Sequence, residues 1–272
     1  MNWGSFPTVS RRFLSLLIVS ILQWSPALCA DQSPTNDRLL IAAASSLRFT
    51  MDDIVAEFTK SIPADVEMSY SASGNLLAQI LAGAPFDLFL SADEAYPKQV
   101  IEKEFADPDA FFRYGSGLIV LWVPDQSPID IVHEGINGLM HPSVKKIVLA
   151  NPRHAPYGMA AMEALKNMDF FDRLDKKFVF SDNIFHAAAF IRRGDAQIGI
   201  LAYSLALSEP LQASGRFWVI PSHLYSPMLH GGLILGNTKD RALATAFVDF
   251  LKKGRGREIL QDYGYLKKGG SN

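Results

Sequence analysis

A continuous run of apolar residues, 39–44, is of the kind found in strands that are buried on both faces. The run ends at Ser45 and Ser46. From Leu47 onward apolar residues recur every three or four positions, which is the spacing of a helix that buries one face. We predict a strand that passes directly into a helix at two adjacent serines. The first amides of such a helix have no acceptor within the helix.

The same succession of apolar run, small or hydroxyl residues and helix returns in the first half of the chain. A strand over 66–70 leads through residues 71–74 into an apolar helix. A short buried strand over 86–90 leads through residues 91–93 into a helix that runs toward Glu102. No hairpin turn separates these units, and we therefore predict a mainly parallel sheet with helices on both faces.

The second half repeats this pattern. Strands are predicted over 147–150, 178–180 and 198–202, each followed by the start of a helix. Between the two halves, residues 114–123 are predicted to form one long strand. Its glycines at one end and its length are typical of a segment that crosses between domains.

These elements predict an α/β protein of two lobes joined by two crossings. Residues 31–115 and 222–272 are expected to form the first lobe, and residues 116–221 the second, so that the last helices return to the first lobe. The 272 residues, 49% of them hydrophobic and 20% charged, suffice for two domains with cores of their own.

Residues 1–30 have the three parts of a secretory signal peptide. Arg11 and Arg12 supply the positive charge, residues 13–22 the apolar core, and residues 27–30 a cleavage zone of mostly small side chains. A membrane anchor is the alternative, but the apolar run is shorter than the roughly 20 residues that span a bilayer. We expect cleavage after this segment and a periplasmic or otherwise extracytoplasmic location.

Removal of this segment changes the charge and the cysteine content. The single cysteine, Cys29, would be lost, so neither disulfides nor a catalytic thiol are expected. Losing Arg11 and Arg12 from the 26 Lys and Arg leaves 24 basic against 28 acidic residues, a net charge of −4. An acidic chain is not expected to bind nucleic acid.

The strand ends supply uncharged hydrogen-bond donors in both halves of the chain. Hydroxyls or amides at helix starts bind anions, although serine there is also an ordinary helix cap worth about 1 kcal/mol. Few arginines lie nearby, and a bidentate organic acid would usually require an arginine fork. The pattern therefore favours a small, fully ionised oxyanion. The candidate donors are the hydroxyls of Ser45, Ser46 and Ser73 and the backbone amides of Tyr157 and Ile184.

The sequence offers little support for catalysis. The six histidines show no paired spacing of the metal-ligand type, and we expect them at the surface or at the rim of the site. A serine hydrolase is the rival hypothesis, with His154 or His186 as the base, but no nucleophile-elbow motif surrounds Ser45, Ser46 or Ser73.

Several motifs together resemble the periplasmic molybdate- and tungstate-binding proteins of ABC transporters, the ModA-like family. The most specific is the run GAPFDLFLSAD at residues 83–93. The others are AAAS at 42–45, SASGNL at 71–76, NP at 151–152 with APYG at 155–158, and GDA at 194–196.

This resemblance implies a type II periplasmic binding protein fold with the ligand cleft between two lobes. It also implies capture of molybdate or tungstate without a cofactor, and delivery to an ABC-transporter membrane permease by a monomeric, non-enzymatic protein. Sulfate or phosphate is the alternative ligand.

Residue by residue, the resemblance assigns ligand contacts to the Ser45 and Ser73 hydroxyls and to the Tyr157 and Ile184 amides. The chain departs from the family in two places. An extra residue lets Ser46 share or replace the role of Ser45. Ala202 takes the position of a tyrosine found in some members, and Tyr203 follows it, so no direct contact from the Tyr203 hydroxyl is expected. The Tyr157 ring is the alternative contact, and packing of that ring behind Pro156 is the other interpretation.

Overall fold

The computed structural model describes residues 38–267, which form two five-stranded sheets flanked by helices. The first sheet has the order β2-β1-β3-β10-β4. Its strands are β1 (Arg38–Ala44), β2 (Asp65–Ser71), β3 (Leu88–Ser91), β4 (Phe111–Gly117) and β10 (Met228–Ile234).

The second sheet is built from the middle of the chain and has the order β7-β6-β8-β5-β9. Its strands are β5 (Ile119–Pro124), β6 (Ile147–Ala150), β7 (Phe178–Ser181), β8 (Ile198–Ala202) and β9 (Gly215–Val219). The two-lobed α/β fold predicted from the sequence is confirmed.

Both sheets are mixed rather than mainly parallel. In the first sheet β1 runs parallel to β2 and β3, whereas β10 runs antiparallel to β3 and β4. In the second, β6 runs parallel to β7 and β8, whereas β5 runs antiparallel to β8 and β9. The βα units account for the parallel pairs, and the antiparallel pairs come from the strands that carry the chain between the sheets.

The helices begin where the strands end. The largest are α1 (Arg48–Ser61), α2 (Ser73–Leu81), α3 (Ala95–Glu102), α5 (Pro156–Asn167), α7 (Ile184–Arg192), α10 (Arg241–Lys252) and α11 (Gly254–Asp262). Four short ones are α4 (Ile131–Glu134), α6 (Phe171–Leu174), α8 (Tyr203–Ala206) and α9 (Glu209–Gln212). No helix among residues 38–267 has the length and apolarity to cross a membrane.

The single long strand predicted over 114–123 is wrong, because two strands of different sheets occupy this segment. β4 ends at Gly117, β5 begins at Ile119, and the carbonyl of Leu118 between them accepts the amide of Tyr203 at 2.9 Å. A Cβ atom at Gly117 would lie 2.7 Å from the Tyr157 hydroxyl. The glycine therefore permits the close approach at which the chain changes sheets, and the expected crossing is present at Leu118.

The C-terminal helices pack on α1, beside the first sheet, as predicted. The Phe58 ring of α1 lies 5.0 Å from the ring of Phe247 and 5.5 Å from that of Phe250, both on α10. Strand β9 was not predicted. It is an edge strand that pairs only with β5 within the described sheet, and its burial pattern does not alternate. The predicted signal segment, 1–30, lies outside the described residues, and the domain boundaries stay a prediction.

Candidate functional site

All five predicted donor residues line one small cavity between the two sheets. About 200 Å³ of space between the protein atoms belongs to it, part of which is open to solvent. Its eleven lining residues include no lysine, arginine, histidine or acidic side chain. They are Ala44, Ser45, Ser46, Ser71, Ala72, Ser73, Ala92, Ala155, Pro156, Tyr157 and Ile184.

The adjacent serines occupy a single tight turn between β1 and α1. Ser45 and Ser46 begin a short 3-10 helix, Ser45–Leu47, and both are almost fully buried. The residue at the cap position is Ala44, and no side chain caps this turn. Ser46 Oγ is buried and has no hydrogen-bond partner among residues 38–267. Ordinary capping therefore does not account for this serine pair.

Ser73 is the first residue of α2 and is buried against the end of β3. The cap position is again an alanine, Ala72, without a side-chain cap. Ser73 Oγ accepts a hydrogen bond from the Ala92 amide at 3.1 Å. A hydroxyl that accepts one bond still has its own proton to donate. The Ala92 amide thus fixes the oxygen and leaves the proton for a group in the cavity.

The second lobe contributes the first turns of two helices. Tyr157 follows Pro156 at the start of α5, and Ile184 is the first residue of α7. Amides at these positions have no acceptor within their helix. Asn183 caps α7 in the ordinary way, its Oδ1 accepting the His186 amide at 2.9 Å. The Asn183 side chain therefore caps the His186 amide, and it does not cap the Ile184 amide.

The Tyr157 ring extends toward the crossing between the sheets, where its hydroxyl approaches the side chains of Ser46 and Ser204. Its hydroxyl lies 3.4 Å from His230 Nε2, and burial raises its pKa well above the usual range. Tyr203, whose hydroxyl was not expected to contact a ligand, is not among the lining residues and packs against the ring of Phe217 at 5.7 Å.

The prediction that the histidines lie at the surface or at the rim of the site is wrong for His230. This residue of β10 is fully buried, and burial lowers the pKa of its imidazole to about 3. The aromatic rings of Tyr114, Tyr157 and Tyr265 surround it at centroid distances of 5.5, 6.0 and 5.2 Å. Its strand reads as an apolar segment, and polarity alone did not indicate that the imidazole faces inward.

The histidines considered as a base for a serine nucleophile contact other groups. His154 Nε2 lies 3.0 Å from the Asp182 carbonyl, and His186 Nδ1 lies 3.9 Å from the Asp182 carboxylate. Neither residue lines the cavity. Among the described residues, no cluster of histidine, cysteine and acidic side chains could hold a metal ion.

One cation lies beside the serine turn without lining the cavity. The Arg48 guanidinium stacks over the rings of Tyr70, at 4.9 Å, and Phe185, at 5.9 Å. It also forms an ion pair with Asp52 at 3.7 Å. Arg48 therefore contacts residues of both lobes, and its charge is partly compensated by Asp52.

Comparisons with known proteins agree with this architecture. The family model described as bacterial extracellular solute-binding protein matches residues 39–266. The chain is 32% identical over 228 residues, 84% of this chain and 88% of the relative, to the molybdate-binding protein ModA of Rhodobacter capsulatus.

Two solved structures are similar over nearly their whole length. One is the periplasmic molybdate-binding protein of Azotobacter vinelandii, with a TM-score of 0.76, 26% identity and coverage of 84% of this chain and 98% of that chain. The other is the substrate-binding domain of a putative molybdenum ABC transporter from Clostridium difficile, with a TM-score of 0.63, 28% identity and coverage of 85% and 98%. The chain therefore belongs to the bacterial extracellular solute-binding protein family, as a ModA-like member.

Proposed function

We propose that this protein captures molybdate or tungstate outside the cytoplasm and delivers it to the membrane permease of an ABC transporter. The main support for this proposal is that uncharged donors from both lobes line one cavity. The donors are the hydroxyls of Ser45, Ser46 and Ser73 and the amides of Tyr157 and Ile184. The names of the similar proteins support the choice of molybdate.

An uncharged cavity can bind a dianion because its donors have fixed positions. Helix starts place partial positive charge at the anion, and each hydrogen bond to a charged group contributes about 1.5 to 3 kcal/mol. The lining contains no carboxylate to accept a proton from the ligand. A fully ionised tetrahedral oxyanion therefore fits better than one that carries a proton, as phosphate does near neutral pH.

Sulfate is the stronger rival ligand because it is also fully ionised. The same donors could hydrogen-bond to sulfate, so discrimination between sulfate and molybdate depends on the size of the cavity. Molybdate and tungstate share charge and shape, and the proposal covers both.

Binding is proposed to include closure of the two lobes, as is known for periplasmic binding proteins. In the structure the Gly74 amide at the start of α2 donates to the His154 carbonyl, before α5, at 2.9 Å. This bond joins the two lobes beside the cavity. We infer that it forms on closure, and that the lobes comprise residues 31–115 with 222–272 and residues 116–221.

The remaining parts of the proposal follow from this role. The protein acts as a monomer without a cofactor or a catalytic step, and residues 1–30 direct its export. The serine hydrolase alternative has a direct test with a chromogenic ester. Turnover that Ser45→Ala abolishes would overturn the binding-protein proposal.

Thermal unfolding of residues 31–272 with molybdate, tungstate, sulfate or phosphate at equal concentration tests the ligand. A ligand that binds only the folded state stabilises it by about 2.7 kcal/mol at a hundredfold excess over its dissociation constant. We expect stabilisation by molybdate and tungstate. Stabilisation by sulfate or phosphate instead would change the ligand, and no stabilisation by any anion would overturn the proposal.

A further inference from the structure

A second buried polar cluster lies behind the serine turn. The Tyr265 hydroxyl lies 2.9 Å from the Ser46 carbonyl oxygen and 2.9 Å from Ser204 Oγ. Ser204 Oγ in turn lies 3.2 Å from the same carbonyl oxygen. All three residues are at most 4% exposed. We call Ser46, Ser204 and Tyr265 the hydroxyl triangle.

The triangle joins three distant parts of the chain. Ser46 belongs to the first lobe, Ser204 to α8 of the second lobe, and Tyr265 to the segment after α11. The Tyr265 carbonyl also accepts the Ser116 amide of β4 at 2.9 Å, next to the crossing between the sheets. The position of the serine turn is therefore tied both to the second lobe and to the crossing.

The proton count explains why both hydroxyls matter. The Ser46 carbonyl can only accept hydrogen bonds, so the hydroxyls of Ser204 and Tyr265 supply the only two protons for the three close contacts. In every arrangement that satisfies both hydroxyls as donors, at least one of them donates to the Ser46 carbonyl. Burial raises the pKa of Tyr265 to about 12, so its hydroxyl keeps its proton at physiological pH.

Ser204 and Tyr265 do not line the cavity, whereas Ser46 lines it with a hydroxyl that has no hydrogen-bond partner among residues 38–267. A hydrogen bond from one or both hydroxyls to the Ser46 carbonyl restricts the rotation of its peptide group, and so fixes the backbone from which the Ser46 side chain projects.

We propose that Ser204 and Tyr265 are positioning residues for the anion site and act through Ser46. This inference rests on the proposed function. It adds two residues to the machinery of affinity, neither of which contacts the ligand.

The test measures molybdate affinity by calorimetric titration for Tyr265→Phe and Ser204→Ala, at a temperature where both variants are folded. Each is expected to raise the dissociation constant by about tenfold, the effect of one buried hydrogen bond. Tyr263→Phe is the matched control. Its hydroxyl donates to Asp53 at 2.8 Å, from the same C-terminal segment but without contact to Ser46, and we expect unchanged affinity.

Double variants distinguish positioning from general support of the fold. Combined with Ser46→Ala, Tyr265→Phe is expected to lose most of its effect on the dissociation constant, because the group that it positions is gone. Combined with Ser73→Ala, it is expected to keep its full effect, because independent sites are additive. If Tyr265→Phe does not fold, the same two double variants are made with Ser204→Ala in its place.

The inference would be overturned if Tyr265→Phe raised the dissociation constant by the same factor in the Ser46→Ala and Ser73→Ala backgrounds. Unchanged affinity in Tyr265→Phe and Ser204→Ala would also overturn it. An effect of Tyr263→Phe as large as that of Tyr265→Phe would also overturn it. Wild-type protein that binds no oxyanion would overturn the proposed function and this inference with it. Wild-type binding with equal affinity in all variants would overturn the inference alone.

Discussion

The two lobes supply the cavity with donors of different kinds. The first lobe contributes side-chain hydroxyls, from Ser45, Ser46 and Ser73, and the second contributes helix starts at Tyr157 and Ile184. A hydroxyl can be removed by a single substitution, whereas an amide belongs to every residue except proline. In the proposed site, substitutions at the second-lobe positions are therefore expected to keep the ligand contacts unless they change the backbone.

The largest effect is expected from removing a second-lobe amide. Ile184→Pro deletes the N–H group and places a ring carbon where the anion oxygen would lie. Proline is tolerated at the first position of a helix, and Asn183 before it has the extended backbone that proline requires, with φ −154° and ψ 171°. We expect molybdate affinity to fall by about a hundredfold or more, measured by calorimetric titration.

Ile184→Val is the matched control for that substitution. It retains the amide and most of the buried side chain, so its affinity should stay near that of the wild type. Equal losses in the valine and proline variants would mean that the side chain, and not the amide, provides the contact.

A smaller effect is expected from removing a first-lobe hydroxyl. Ser73→Ala should weaken molybdate binding by about 1.5 to 3 kcal/mol, the range for a hydrogen bond to a charged group. Ser73→Thr keeps a hydroxyl and serves as the comparison. Affinity unchanged by Ser73→Ala would remove this residue from the site and leave the first lobe with the Ser45–Ser46 turn alone.

The buried His230 behind the cavity is expected to affect stability rather than binding. The pKa of His230 is about 3 in the folded protein and about 6.5 when unfolded. Between these values the unfolded state binds more protons, so the free energy of unfolding falls as the pH falls. The loss is about 1.4 kcal/mol per pH unit below about pH 6.5, with no contribution above it.

Urea unfolding at pH 7 and at pH 5 measures this loss. The wild type should lose about 2 kcal/mol more stability than His230→Gln between the two pH values. Equal losses would show that the imidazole does not titrate as its burial implies.

None of the five donors titrates in the physiological range, so molybdate affinity should stay constant between pH 6 and 8.

The smallest effect is expected from Tyr157→Phe. The substitution keeps the amide that is assigned to the ligand and removes a hydroxyl whose neighbour is His230, at 3.4 Å. Molybdate affinity should change by less than about twofold, a small part of one hydrogen bond. A tenfold loss would assign the tyrosine hydroxyl, rather than the amide, to the ligand.

The sequence predicted most of the lobes because the βα units are local patterns. Predicted strands followed by serines or small residues marked β1, β2, β6 and β7 and the helices behind them, and the segments that follow these four strands line the cavity. The antiparallel strands were less predictable. The break at Leu118 falls where the segment 115–117 meets the apolar run 118–123, and the approach of Tyr157 and His230 to Gly117 gives the reason for it.

The hydroxyl triangle could not be predicted from the sequence. Tyr265 and Ser46 are 219 positions apart, and neither Ser204 nor Tyr265 belongs to a motif. Their contact depends on how the crossing and the C-terminal segment meet behind the site. His230 was misjudged for the same reason, because inward orientation on β10 depends on the neighbouring strands.

In the proposed site, uncharged donors of both lobes surround a single oxyanion. A crystal structure of residues 31–272 grown with molybdate, with the molybdenum located by anomalous scattering, would test this arrangement. We expect one molybdenum in the cavity, with its oxygens at hydrogen-bond distance from the serine hydroxyls and from the amides of Tyr157 and Ile184. Molybdate bound elsewhere, or held by lysine or arginine side chains, would rule out the proposed site.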